Sequence, residues 1–313
     1  MRTRQTPQSD SAWRDCGKRD MTHFPVMSEE VLSYLAVRSD SRVADMTAGL
    51  GGHSKQIAAL LGTGVLVMND RDGESLQEAV ENTRDYAANI RPTQGVFSSF
   101  PERFKEMGIG QLDGLLVDLG VSMKQLTEPE RGFSFRLDGP LDMRMSRDSE
   151  QDLTAADVVN TFSEKDIADI LYEYGGEWRS RAIARAVFRA RPIRTTSELA
   201  QLAGHGAASR DSKISPATKT FMALRLYVNR EMDELKALLE SLPGLMAPGG
   251  RIVALSFMST EDRILKQRLQ EFQRAGQGKI LTKHVVKPSD DETRRNPASR
   301  SAKLRAMEWL AAT

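Results

Sequence analysis

Apolar and polar positions along the chain sort into short apolar runs and longer stretches of helical period. Arg42–Met46 (RVADM), Gly64–Asn69 (GVLVMN) ending at Asp70, and Leu112–Leu119 (LDGLLVDL) read as buried strands. Arg251–Phe257 (RIVALSF) is another, announced by the turn Ala247–Gly250 (APGG). Gly95–Phe97 reads as a third strand edge, and Lys279–Val286 with Lys303–Leu310 as a terminal pair closing the sheet. Ser54–Leu61, Glu74–Asn89 and Ala217–Leu242 carry the helical pattern. Strands alternating with helices predict an α/β fold, a mostly parallel sheet with helices on both faces. The runs at Leu112 and Arg251 are separated by roughly 130 residues, far beyond one crossover helix. The pattern therefore predicts a core domain over 23–127 and 215–313, interrupted by an inserted helical subdomain over 128–214. Residues 1–22 are polar and mixed in charge, without an apolar signal core, and read as a disordered leader.

Composition narrows the class. With 40% hydrophobic and 28% charged residues in 313, the chain can bury a full core. No apolar run approaches the roughly 20 residues of a membrane span, so no membrane partner is expected. A single cysteine, Cys16, excludes an internal disulfide and fits a reducing, cytoplasmic setting. The same count excludes three-cysteine iron–sulfur ligation, and no metal cluster is visible in the sequence.

The chemistry concentrates at predicted strand ends. After Asp45 comes a Gly-rich turn, Thr47–His53 (TAGLGGH), whose Gly49, Gly51 and Gly52 allow close backbone approach to a ligand at a helix start. Its spacing is not that of the dinucleotide fingerprint. Asp70 stands where doubly wound folds place a carboxylate on ribose hydroxyls, and Asp118 ends the fourth strand. Without a P-loop lysine or a metal cluster, this set favours an adenosine-containing cofactor such as S-adenosylmethionine. Asp118–Met145 (DLGVSMKQLTEPERGFSFRLDGPLDMRM) is a long polar loop with Phe133 and Phe135 alternating within it. Such a loop in a compact domain is expected to be functional.

The net charge of +1 hides local concentrations of base. From Trp178 to Arg194 there are six arginines and no acid. Arg181, Arg185 and Arg189 fall at helical spacing, a phosphate-binding stripe rather than a solvated face of mixed sign. The C-terminal region adds a second basic flank that includes Lys279, Arg300 and Lys303. Two basic flanks suit RNA better than a small substrate.

These landmarks closely resemble one family, the bacterial 16S ribosomal RNA N4-cytosine methyltransferases (the RsmH or MraW family). The resemblance runs from His23 to Trp309 through DMTAGLGGHS, LLVDLGVS, ERGFSFRLDGPLDMRM, KISPATKTFMALRLYVNREM, APGGRIVALSF and NPASRSAKLR. It implies a class I, Rossmann-like methyltransferase fold, S-adenosylmethionine as donor, and a cytosine in the decoding region of small-subunit RNA, free or within the subunit, as acceptor. Carried over by position, cofactor contacts fall on Gly51, Gly52, His53, Asp70, Phe97, Asp118 and Gln125. Phe97 would pack beside the adenine. Three departures stand out: Ser215 and Met258 replace usual histidines, and Trp178 a usual arginine.

For the chemistry, Asp118 or the pair Asp138 and Asp142 is expected to accept a proton from the cytosine amine. Phe133 and Phe135 either stack on an extruded base or pack the loop on its own domain. The loop through Gln125 is expected to wall the cofactor, and Arg131–Met145 to receive the base. A homodimer stays open. So do a non-catalytic RNA-binding assembly factor, a methyltransferase for another RNA, and one acting on small molecules or proteins. S-adenosylmethionine affinity and salt-dependent RNA binding separate these readings.

Overall fold

The structure, a computed structural model, describes residues 25–148, 152–204 and 215–311. The expected leader, Cys16, His23 and His205 lie outside these residues. A first helix, α1 (Ser28–Leu35), leads into β1 (Arg42–Asp45), α2 (Gly52–Ala58), β2 (Val65–Asp70), α3 (Gly73–Asn82) and β3 (Ile90–Gln94). Next come α4 (Phe100–Glu106), β4 (Leu112–Asp118) and the short α5 (Met123–Thr127). Four helices follow: α6 (Ala155–Thr161), α7 (Glu164–Glu173), α8 (Ser180–Ala190) and α9 (Thr196–Gly204). The chain re-enters through α10 (Thr218–Val228) and α11 (Glu231–Leu245), then β5 (Met246–Ser256), α12 (Ser259–Arg274), β6 (Gly278–Ile280), α13 (Asp290–Arg295) and β7 (Lys303–Trp309).

The seven strands form one sheet in the order β3-β2-β1-β4-β5-β7-β6. Strands β1 to β5 are mutually parallel, and β7 runs antiparallel between β5 and β6. The order reverses between β1 and β4, which opens a crevice beyond their carboxyl ends. Successive strand residues face opposite sides. Ala44, Leu115, Val117 and Ile252 meet Phe100, Leu238 and Leu269 on one face. Val43, Leu66, Leu116 and Val253 meet Val31, Leu35 and Ile57 on the other. A third buried cluster, from Phe133 through α6 to α9, continues into Phe221 and Leu224 of α10.

Several boundaries differ from the sequence expectation. The third strand is Ile90–Gln94 rather than Gly95–Phe97, and Phe97 begins a tight 3-10 turn. Its Pro92 is tolerated because β3 is a sheet edge, where no further strand needs its missing N–H. The helix expected over Glu74–Asn89 ends at Asn82. The expected Ala217–Leu242 helix breaks at Asn229 and Arg230, the latter left-handed at φ 51°. Residues of the APGG turn are absorbed into β5 as an irregularity, with Leu112 opposite Met246 and Gly114 opposite Arg251.

Candidate active site

The crevice holds a cavity of about 420 Å³ at the ends of β1, β2 and β4. Gly49, Leu50, Gly52, His53, Asp70, Phe97, Asp118 and Gln125 all line it. The Gly-rich turn is held by Asp70, whose Oδ2 accepts the Gly49 N–H at 2.7 Å and whose Oδ1 accepts the Asp72 N–H at 2.9 Å. Gly49 and Gly51 occupy left-handed backbone, with φ of 52° and 85°. Gly51 does not line the cavity. A Cβ there would lie 3.1 Å from the backbone of Ala79, so this glycine lets the turn pack against α3 rather than against a ligand. That changes the role expected for it.

Three carboxylates converge from the strand ends. Asp45, buried, accepts the Ser54 hydroxyl at 2.7 Å and the Thr47 N–H at 3.2 Å. Burial nevertheless raises it to about 6, and raises Asp70 to about 6 as well. Asp118 is raised furthest, to about 8, first by burial and then by repulsion from Asp45 and Glu261. Its backbone N–H donates to Thr47 Oγ1 at 2.7 Å, which fixes the strand end. Its Oδ2 lies 3.8 Å from His53 Nε2, while Oδ1 is buried and has no hydrogen-bond partner. A buried acceptor left open at a cavity wall is what a ligand's donor or positive charge satisfies.

A further part of the lining comes from α10, α11 and the start of α12, where the sequence reading assigns no site residue. Arg225 pairs with Glu231 through contacts of 2.8 and 3.1 Å, and its Nη2 reaches Met258 Sδ at 3.6 Å. Glu261, buried at the start of α12, accepts the Phe257 and Met258 N–H groups at 3.0 and 3.1 Å. Its pKa is raised by burial against the opposing pull of Arg225. These residues lie more than 100 positions from Asp70 along the chain; Arg225 and Glu231 fall within the landmark KISPATKTFMALRLYVNREM, but the sequence reading gives no role to them or to Glu261.

Gln125 is buried by a capping box at the start of α5, in which Ser122 Oγ accepts its N–H. Its Nε2 donates to Asp72 Oδ2 at 2.9 Å, and the same carboxylate pairs with Arg131 at 3.0 Å. Arg131 is one of the largest fully buried side chains among the described residues, and its Nη2 donates to Met145 O at 2.8 Å. Asp72 and Arg131 thus brace the cavity wall, a pairing across the fold that the sequence did not disclose.

The long loop divides differently from expectation. Residues 118–123 together with Gln125 and Leu126 line the cavity, but of 131–145 only Met145 does. Phe133 is buried in the insertion's own core, and Phe135 packs edge-on to Phe221 at 5.2 Å. Neither is presented to a base in the cavity, because the loop's apolar residues are used to close that core. Asp138 is exposed and accepts the Ser197 N–H at 3.0 Å at the start of α9. Asp142 is bound by Arg144 at 2.9 and 3.0 Å, and these contacts outweigh burial to hold it below the usual carboxylate range. The expected Asp138/Asp142 pair is therefore a helix cap and an ion-pair brace, and neither residue lines the cavity.

Of the three departures, Met258 lines the cavity, Ser215 does not, and Trp178 is exposed on the insertion. Arg181, Arg185 and Arg189 are exposed on α8, with Arg185 3.3 Å from Glu164. Arg300 is exposed two positions from the cavity-lining Ala298, and Lys303 lies 3.4 Å from Ser259 Oγ. No helix among the described residues is long and apolar enough to cross a membrane.

A doubly wound sheet with a glycine turn after β1, a carboxylate after β2 and an open acceptor after β4 defines a class I methyltransferase-type site. Residues 20–310 match the MraW methylase family, and the chain belongs to it. It is 51% identical over 286 residues to a protein of Solibacter usitatus named Ribosomal RNA small subunit methyltransferase H, covering 91% of this chain and 99% of that one. The protein of the same name from Koribacter versatilis is 46% identical over 298 residues, covering 93% and 95%.

Proposed function

We propose that this protein methylates N4 of a cytosine in the decoding region of 16S ribosomal RNA, acting in the cytoplasm with S-adenosylmethionine as donor. The observation that carries the reading is the open, buried Oδ1 of Asp118, a cavity-lining residue beside the glycine turn. The lining suits the donor: in this reading Asp70 takes the ribose hydroxyls, Phe97 packs by the adenine, and Asp118 with Gln125 borders the methionine end. When bound, S-adenosylmethionine supplies an electrophilic methyl group on a positively charged sulfur.

The exocyclic amine of cytosine is a weak nucleophile, since its lone pair is delocalised into the ring. Holding it in line for transfer supplies part of the rate enhancement. Asp118 supplies another part by accepting a proton from N4. A positive charge beside Asp118 favours the carboxylate form it needs for this task. Arg181, Arg185, Arg189, Arg300 and Lys303 hold backbone phosphates at the two basic flanks.

Transfer of tritiated methyl groups to small-subunit RNA, followed by mass mapping of the product, tests the proposal. Methylcytosine from the parent and a loss of about 10²-fold or more in Asp118→Asn are expected. Methylation at another atom or base, or full activity in the variant, would overturn it.

A further inference from the structure

One face of the insertion combines features that the methyl-transfer site does not use. Arg181, Arg185, Phe188 and Arg189 of α8 fall within an arc of roughly 100° at 3.6 residues per turn. The buried residues Ile183, Ala184 and Val187 lie on the remaining side. Phe188 is 46% exposed, with the Arg191 guanidinium 4.6 Å above its ring. Immediately before α8 stands Trp178, 80% exposed and the most exposed large hydrophobic side chain among the described residues. Arg181 and Arg189 make no ion pair or hydrogen bond through their side chains among the described residues. Arg185 makes only its exposed pair with Glu164. Two exposed rings and the unpartnered cations Arg181 and Arg189 therefore occur together along this short segment, and each ring left in water forgoes burial.

We infer that this face of α8, headed by Trp178, binds a single-stranded segment of the RNA substrate: Trp178 and Phe188 stack on bases, and the three arginines hold phosphates. The inference rests on the RNA reading above and specifies which form of RNA is gripped and by what. Aromatic rings interleaved with cations suit a single strand, because every unpaired base offers a π-face while a duplex offers phosphates alone. From Arg181 to Arg189 the stripe runs about 12 Å, at 1.5 Å per residue, room for about two nucleotides of an extended strand. The exposed position of Trp178 makes its replacement tolerable to the fold.

The test compares parent, Trp178→Ala and Trp178→Phe for binding to a single-stranded small-subunit RNA fragment and to a duplex of the same sequence. Trp178→Ala is expected to weaken single-strand binding roughly fivefold to a hundredfold, with Phe restoring most of it. Duplex binding, melting temperature and S-adenosylmethionine affinity are expected to stay as in the parent. Unchanged single-strand affinity in Trp178→Ala overturns the inference, as does an equal loss on duplex. A loss seen only with assembled subunits, and not with naked RNA, also overturns it and assigns the face to a protein. If the parent binds neither the RNA fragments nor the small subunit, it is the functional reading that fails.

Discussion

Asp118 carries its proton at neutral pH in the free protein, because burial and the nearby Asp45 and Glu261 raise it to about 8. On unfolding it returns toward 3.8, so between those limits the folded state holds a proton that the unfolded chain has lost. This group's contribution to stability is therefore full at low pH and declines as pH rises through about 8. Asp118→Asn should melt above the parent at pH 8 and close to it at pH 4; the same shift at both would show that burial of the charge is not its cause. Binding a cationic donor draws Asp118 to its ionised form, so S-adenosylmethionine should release protons near neutral pH. Calorimetry in buffers of different ionisation heat checks this, and an undiminished release in Asp118→Asn would assign the protons elsewhere. Asp138→Ala, which removes only the cap of α9, should lower the melting temperature slightly and leave kcat unchanged. Asp45, Asp70 and Asp118 were legible in the sequence as strand-end carboxylates. Their raised pKa values were not, because burial is a property of the assembled crevice.

Helices and loops supplied the partners that sequence reading missed. The break between α10 and α11 leaves Asn229 buried, with its side chain accepting the Met145 N–H at 2.8 Å and donating to Met143 O at 2.7 Å. Arg71 Nη1 in turn donates to Asn229 O at 2.8 Å, so one residue joins the end of β2 to the insertion's loop. Its replacement strands buried backbone groups, at about 1–3 kcal/mol each. Asn229→Ala should destabilise by at least that amount and speed hydrogen exchange at Met143 and Met145; parent-like protection would dismiss the clamp. Arg131→Met leaves the Asp72 carboxylate buried without its cation, a change of about 3–5 kcal/mol. It should also weaken S-adenosylmethionine binding through Gln125, which shares that carboxylate. The helical period ran through Asn229 without a Gly or Pro to mark the break, so the sequence read one helix where the fold has two. Phe133 and Phe135 looked equally able to stack or to pack, and only their neighbours decided.

Across the whole molecule, acidic groups line the cavity while the unpaired cations stand on α8 and near Arg300. This separation suits a cationic cofactor inside and a polyanion outside. RNA affinity should fall steeply with salt, whereas S-adenosylmethionine affinity should change little. Replacing Arg181 and Arg189 together by Ala should reduce the salt slope by about 2, and an unchanged slope would remove the stripe from the interface. The sequence by itself determined the α/β class, the positions of the principal strands, the glycine turn and the strand-end carboxylates. These follow from local period and turn chemistry, which a linear chain displays. Tertiary structure decided that Asp70 and Asp118 face the cavity while Asp45 does not, that Gly51 serves packing, that Arg225 and Glu261 line its wall, and that Asp72 and Arg131 brace Gln125 from behind it. Those outcomes depend on contacts between residues distant in the chain, and on which acceptor the packing leaves open.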